Sequence, residues 1–82
     1  MYKGSSDILL ADLKDELESV QHYTEMIVSV DEPMEKNLLR SVVRDEFNHA
    51  EFLIELLKDA HIEIPEAHHK LYEQAKDMVS FR

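Results

Sequence analysis

Across its 82 residues this chain has one glycine and two prolines, at Gly4, Pro33 and Pro65. Glycine and proline are the residues that most readily interrupt regular backbone, so the stretches between these marks are free to be continuous helices. Ser5 or Ser6 is placed to cap a first helix over about residues 6–30. Pro33 suits the first turn of a second helix, over about 33–60, where a missing amide has no intrahelical partner to lose. The Asp31-Glu32 link is short enough to lay the two helices side by side and antiparallel. His61-Ile62-Glu63-Ile64 then leads into a shorter third helix over about 65–80. The expected fold is all-α: an antiparallel helical hairpin plus a short third helix, in a single domain spanning 1–82.

The hydrophobic pattern indicates which sides of these helices are covered. On the first, Leu9, Leu13, Glu16, Val20, Tyr23, Ile27 and Val30 follow one another at steps of four and three, with Leu10 and Leu17 widening the stripe. On the second, Leu39, Val42, Glu46, His49, Leu53, Leu56 and Ala60 do the same, flanked by Leu38, Val43, Ala50 and Leu57. The two stripes are expected to face each other, and both are too apolar for a single partner helix to cover. The third helix offers Leu71, Ala75, Met78 and Val79 but is short, and its role is left open. Met26, Met34 and Met78 read as packing residues. A homodimer is therefore expected, because two hairpins packed face to face make a four-helix bundle that removes all these stripes from water.

Size and composition narrow the chemistry. So small a chain usually gains stability from disulfides, a metal or a partner subunit, and the absence of cysteine excludes the first. It also excludes thiolate zinc sites, iron–sulfur clusters and thiol nucleophiles, so a metal must be held by oxygen and imidazole. With 18 Asp and Glu against nine Lys and Arg, for a formal charge of −9, nucleic acid is not an expected partner, and a cationic ligand is. Ile8 to Leu10 gives way at once to Asp12, Lys14 and Asp15, so neither a secretion signal nor a membrane span is read, and the expected compartment is the cytoplasm.

The chemistry lies where the stripes are interrupted, at Glu16, Glu46 and His49. Taking an ionised carboxylate out of water costs several kcal/mol, which one hydrogen bond does not offset. No Lys or Arg falls on either stripe, so a divalent cation is the natural partner. Glu46-Phe47-Asn48-His49 is a Glu-x-x-His unit whose ends lie one helical turn apart on one face. In a symmetric dimer the site would hold four carboxylates and two imidazoles, a formal charge of about −4 that matches two divalent cations. Oxygen-rich ligation with one imidazole per metal suits iron, with manganese as the alternative. The competing reading is a polar layer that sets helix register and binds nothing.

Other residues are weaker candidates. Tyr23, two turns beyond Glu16, is placed either to reach the site as a ligand or hydrogen-bond donor, or to pack as a core aromatic. Asp15, Glu18 and His22 form a possible entry site for cations, or simply a solvated acidic face. His61, His68 and His69 read as surface histidines, since neighbours on a helix point about 100° apart.

The strings Asp15-Glu16-Leu17-Glu18-Ser19-Val20-Gln21-His22-Tyr23 and Arg44-Asp45-Glu46-Phe47-Asn48-His49-Ala50-Glu51 resemble the metal-binding segments of the encapsulated ferritins. These are half-ferritins within the ferritin-like superfamily, whose Glu plus Glu-x-x-His set marks di-iron carboxylate sites. The resemblance runs from about Leu13 to Leu57. It implies a ferritin-like four-helix bundle built by a homodimer, with two irons per dimer held by Glu16, Glu46, His49 and Tyr23 at the two-fold interface. It further implies ferroxidase activity for iron storage or detoxification, assembly of dimers into a ring, and a shell protein forming a nanocompartment. His22 stands where the family commonly has an aromatic, and Asp15 where it has Glu. No targeting tail of the family's kind is recognisable before Ser80-Phe81-Arg82.

The expected mechanism has Glu46 of each chain bridging two irons, with Glu16 and His49 as terminal ligands. The same ligands would serve a peroxide-reducing di-iron or di-manganese protein. A non-catalytic metal-binding protein and a metal-free helical interaction module are the remaining alternatives.

Overall fold

A computed structural model describes residues 4–80, which form three helices and, among the described residues, no strand: α1 (Ser5–Ser29), α2 (Pro33–Asp59) and α3 (Glu66–Ser80). Each end has a local cause. Gly4, in extended conformation, is the N-cap of α1, so the capping role expected of Ser5 or Ser6 falls to backbone: Gly4 O accepts from the amides of Asp7 and Ile8. The two serines lie inside the first turn, with Asp7 set against the positive end of the helix. At the other end α1 has no basic residue of its own, and Lys36 of α2 reaches across to donate to Ile27 O at 2.7 Å. Pro33 stands in the first turn of α2 as read, and the Glu32 carboxylate accepts from the Met34 amide at 2.8 Å.

The C-terminus of α2 closes on a paired reverse bond. Ile62 N–H donates to Leu57 O, and His61 N–H donates to Lys58 O. His61 takes the left-handed conformation, φ 58°, that such a cap requires and glycine usually supplies. This exposed histidine therefore has a backbone role. Pro65 then accepts from the amides of His68 and His69 and opens α3.

Leu13, Leu17, Val20 and Ile27 of α1 pack against Val43, Phe47, Ala50 and Leu57 of α2, with Ala75 of α3 joining them. Thr24, the buried polar residue among them, donates its hydroxyl to Val20 O at 2.7 Å. On α1 the sequence stripe is close to the observed core. On α2 it is not: the residues read as flanking, Val43, Ala50 and Leu57, are buried, whereas Val42, His49, Leu56 and Ala60 of the stripe are exposed.

The cause is α3, whose role the sequence leaves open and which docks on the hairpin. Its Tyr72 ring stacks on Phe47 at 5.5 Å and donates its hydroxyl to Glu51 at 3.1 Å, Gln21 donates to Gln74, and the His68 ring bonds Leu10 O. At about 100° per residue, these partners on α1 and α2 lie 100–140° round their helices from Glu16 and Glu46. α3 thus covers one side of the hairpin and draws the α2 core line toward itself. The opposite side stays open, and there α2 exposes Met34, Leu38, Val42, Phe52 and Leu56 in a single stripe, while α1 exposes Ile8 and Met26. Met26 and Met34 are thus not packing residues within the chain. No helix among the described residues is long and apolar enough to cross a membrane.

Candidate metal centre

Glu16 sits on α1 between buried Leu13, Leu17 and Val20, and Glu46 on α2 between buried Val43, Phe47 and Ala50. Their helices are locked by that packing, and each carboxylate lies on the rim of the core toward the open side. The Glu16 and Glu46 side chains are 23 and 22% exposed, while His49, one turn on from Glu46, is 66% exposed. Its Nδ1 lies 3.0 Å from Glu16 Oε2 and 3.7 Å from Glu46 Oε1. One donor atom from each of the three falls within 4.8 Å of the others, and among the described residues this is the group of three such side chains so arranged.

The electrostatics match that geometry. The Glu16 carboxyl is held above its ordinary value, first by desolvation, next by the Glu46 charge beside it and more weakly by Asp12, while His49 pulls the other way through its charge and hydrogen bond. No lysine or arginine figures among those influences. Two carboxylates facing one imidazole nitrogen form a place where a hard-to-intermediate cation is stabilised. The donor set, two oxygens and one nitrogen without sulfur, fits iron or manganese. The His49 side chain is 66% exposed, so the cluster is open on the side away from the core.

The other sequence candidates are not brought into this group. Tyr23 is half-buried at the edge of the core, and its ring meets His22 edge-on at 5.3 Å. Asp15, Glu18 and His22 are exposed on α1 and do not join the cluster. His69 is exposed. His68 is not a free surface histidine, because it is half-buried, its Nε2 bonds Leu10 O at 3.0 Å, and its Nδ1 is buried without a partner. Sequence reasoning missed two residues near the centre. Phe47 supports Glu46 from the core, and its signal was an aromatic one step past a ligand, turned toward a third helix. Asp12 stands one turn before Glu16, and the sequence reading uses it only as a charge that ends the Ile8–Leu10 apolar run.

The chain is thus a three-helix protein with a two-carboxylate, one-imidazole cluster on the uncovered side of a helical hairpin. No family model matches it, and the comparisons with curated proteins and with solved structures give no match either.

Proposed function

We propose that this chain is one half of a ferroxidase, and that two copies related by a two-fold axis bind and oxidise ferrous iron between them. The observation that carries the reading is the convergence of Glu16, Glu46 and His49 on the one side of the hairpin that α3 leaves open. A metal site that faces away from its own chain calls for a partner. The apolar stripe around His49, with Leu38 63% and Phe52 64% exposed, calls for the same partner. A second hairpin turned onto this face buries both stripes and completes a ferritin-like four-helix bundle, with each α3 on the outside.

In such a dimer Glu46 of each chain bridges the two substrate ions, and Glu16 and His49 complete the set around each. Two ferrous ions give up one electron each to dioxygen, which takes two protons and leaves as hydrogen peroxide. The residues' part is to hold both ions in one place, stripped of most water, in an acidic setting that stabilises the ferric product. His49 would hold an ion through Nδ1 as a neutral ring with its proton on Nε2, and its contact with Glu16 would be exchanged for one to metal. A bundle this small encloses no mineral, so storage falls to a ring of dimers or a surrounding shell protein.

Sedimentation and metal analysis after anaerobic loading test this reading together. A dimer holding two irons, with oxygen consumed and iron oxidised beyond the bound equivalents on aeration, is expected. Consumption of peroxide in place of oxygen indicates the peroxide-reducing alternative, oxidation that stops at the bound equivalents a non-catalytic binder, and a dimer without metal an interaction module.

A further inference from the structure

The open face of α2 carries Leu38, Val42, Asp45, His49, Phe52 and Leu56, all exposed. At about 100° per residue they fall within an arc of about 80°. The stripe is matched about its own middle. Leu38 and Leu56 lie nine residues either side of Phe47, Val42 and Phe52 lie five, and Asp45 and His49 lie two. A two-fold axis crossing α2 level with Phe47 therefore sets leucine against leucine, valine against phenylalanine and carboxylate against imidazole. It also puts each Glu46 within about 1.5 Å of the level of the axis, beside its own copy. The Asp45 carboxylate has no hydrogen bond or ion pair among the described residues. No lysine or arginine shares the stripe with it. On His49, Nδ1 faces Glu16 and Glu46 while the side chain is 66% exposed, which leaves Nε2 directed off the cluster toward the open side.

We propose that Asp45 accepts a hydrogen bond from Nε2 of the partner subunit's His49 and so fixes that ring with Nδ1 turned to the ion. This inference rests on the shared two-ion site proposed above. An imidazole that binds metal through Nδ1 carries its proton on Nε2, and a carboxylate behind that proton sets the tautomer, orients the ring and raises its basicity. The pairing also answers a cost, because a second copy covers Asp45, and a covered carboxylate without a partner is strongly destabilising. Within one chain Asp45 and His49 are four residues apart, a spacing at which side chains can meet, yet here they form no bond. Each half of the centre then draws on both chains, its ligands from one and the support for its histidine from the other. Asp45 is a positioning residue and touches no ion.

Manganese(II) binding, with sedimentation at the same concentrations, tests the pairing. Asp45→Asn is expected to lower manganese affinity about tenfold. In a His49→Ala background the same substitution is expected to cost less than about twofold, because its effect runs through that ring. A charge acting through space would keep its effect there, so losses that multiply overturn the proposal, as does an Asp45→Asn protein that binds like the wild type. A mixed dimer of one Asp45→Asn chain and one His49→Ala chain keeps one intact pair across the interface and none within a chain. It is expected to hold one manganese ion at close to wild-type affinity. A best affinity no tighter than that of the Asp45→Asn homodimer overturns the proposal. Manganese that leaves the wild type monomeric, or that binds Glu46→Gln undiminished, overturns the shared site and this inference with it.

Discussion

Nδ1 of His49 lies 3.0 Å from Oε2 of Glu16, and the two residues are 33 positions apart on antiparallel helices. That closeness is set by the hairpin's register, fixed by the short link before Pro33 and by the interlocking of Leu13, Leu17 and Val20 with Val43, Phe47 and Ala50. It brings a third donor side chain, a second carboxylate, to Glu46 and His49, which the Glu-x-x-His spacing alone cannot do.

The strain of placing these carboxylates together is readable as a pH dependence. Glu16 titrates above its ordinary value of 4.5, chiefly through desolvation and the neighbouring Glu46. The folded chain then holds this proton more tightly than the unfolded chain does. Its contribution to metal-free stability is present below the unfolded value and is lost as pH rises through the folded one. Thermal melts of metal-free protein from about pH 4 to about pH 7 are expected to show Glu16→Gln gaining on the wild type as pH rises. Parallel curves contradict this.

The open face gives a separate prediction about association. Leu38 is 63% exposed and lies on the same side of α2 as His49. Leu38→Asp is expected to keep its helical circular dichroism and to weaken dimerisation at least about tenfold, because burying an unpaired carboxylate costs several kcal/mol. Unchanged sedimentation with ferrous iron present contradicts a dimer through this face.

Two phenylalanines on α2 are expected to differ sharply. Phe47 is 8% exposed and stacked on Tyr72, whereas Phe52 is 64% exposed. In dilute metal-free protein, Phe47→Ala should lose about 3–5 kcal/mol of unfolding free energy by urea titration. Phe52→Ala should stay within about 0.5 kcal/mol of the wild type. Similar losses at both positions contradict the placement of α3.

The left-handed cap offers a gain of stability. His61 holds φ 58° at the end of α2, where a side chain is strained and glycine is not. His61→Gly is expected to stabilise the chain by about 1 kcal/mol, read by the same titration.

Helix number, order and ends were legible because Gly4, Pro33 and Pro65 stand at or beside helix starts, as the chemistry of their backbones requires. The meeting of Glu16, Glu46 and His49 was legible because acidic and imidazole groups interrupted apolar stripes at helical spacing. The facing of α2 was not. A stripe of Val42, His49 and Leu56 and a stripe of Val43, Ala50 and Leu57 are one residue apart and each carry a valine and a leucine, and the docking of α3 on Phe47 chooses between them. His61 was also beyond reach, since a cap formed by a non-glycine residue has no local signature, and so was His68, whose partner Leu10 lies 58 positions away.

Crystals of the protein loaded anaerobically with ferrous iron, measured at the iron absorption edge, bear on the shared centre without intermediaries. Two iron peaks about 3.5–4 Å apart across a two-fold axis, each within bonding reach of Glu16, Glu46 and His49, are predicted. Isolated ions held by separate chains, or iron bound away from these three side chains, would contradict a centre built between two copies.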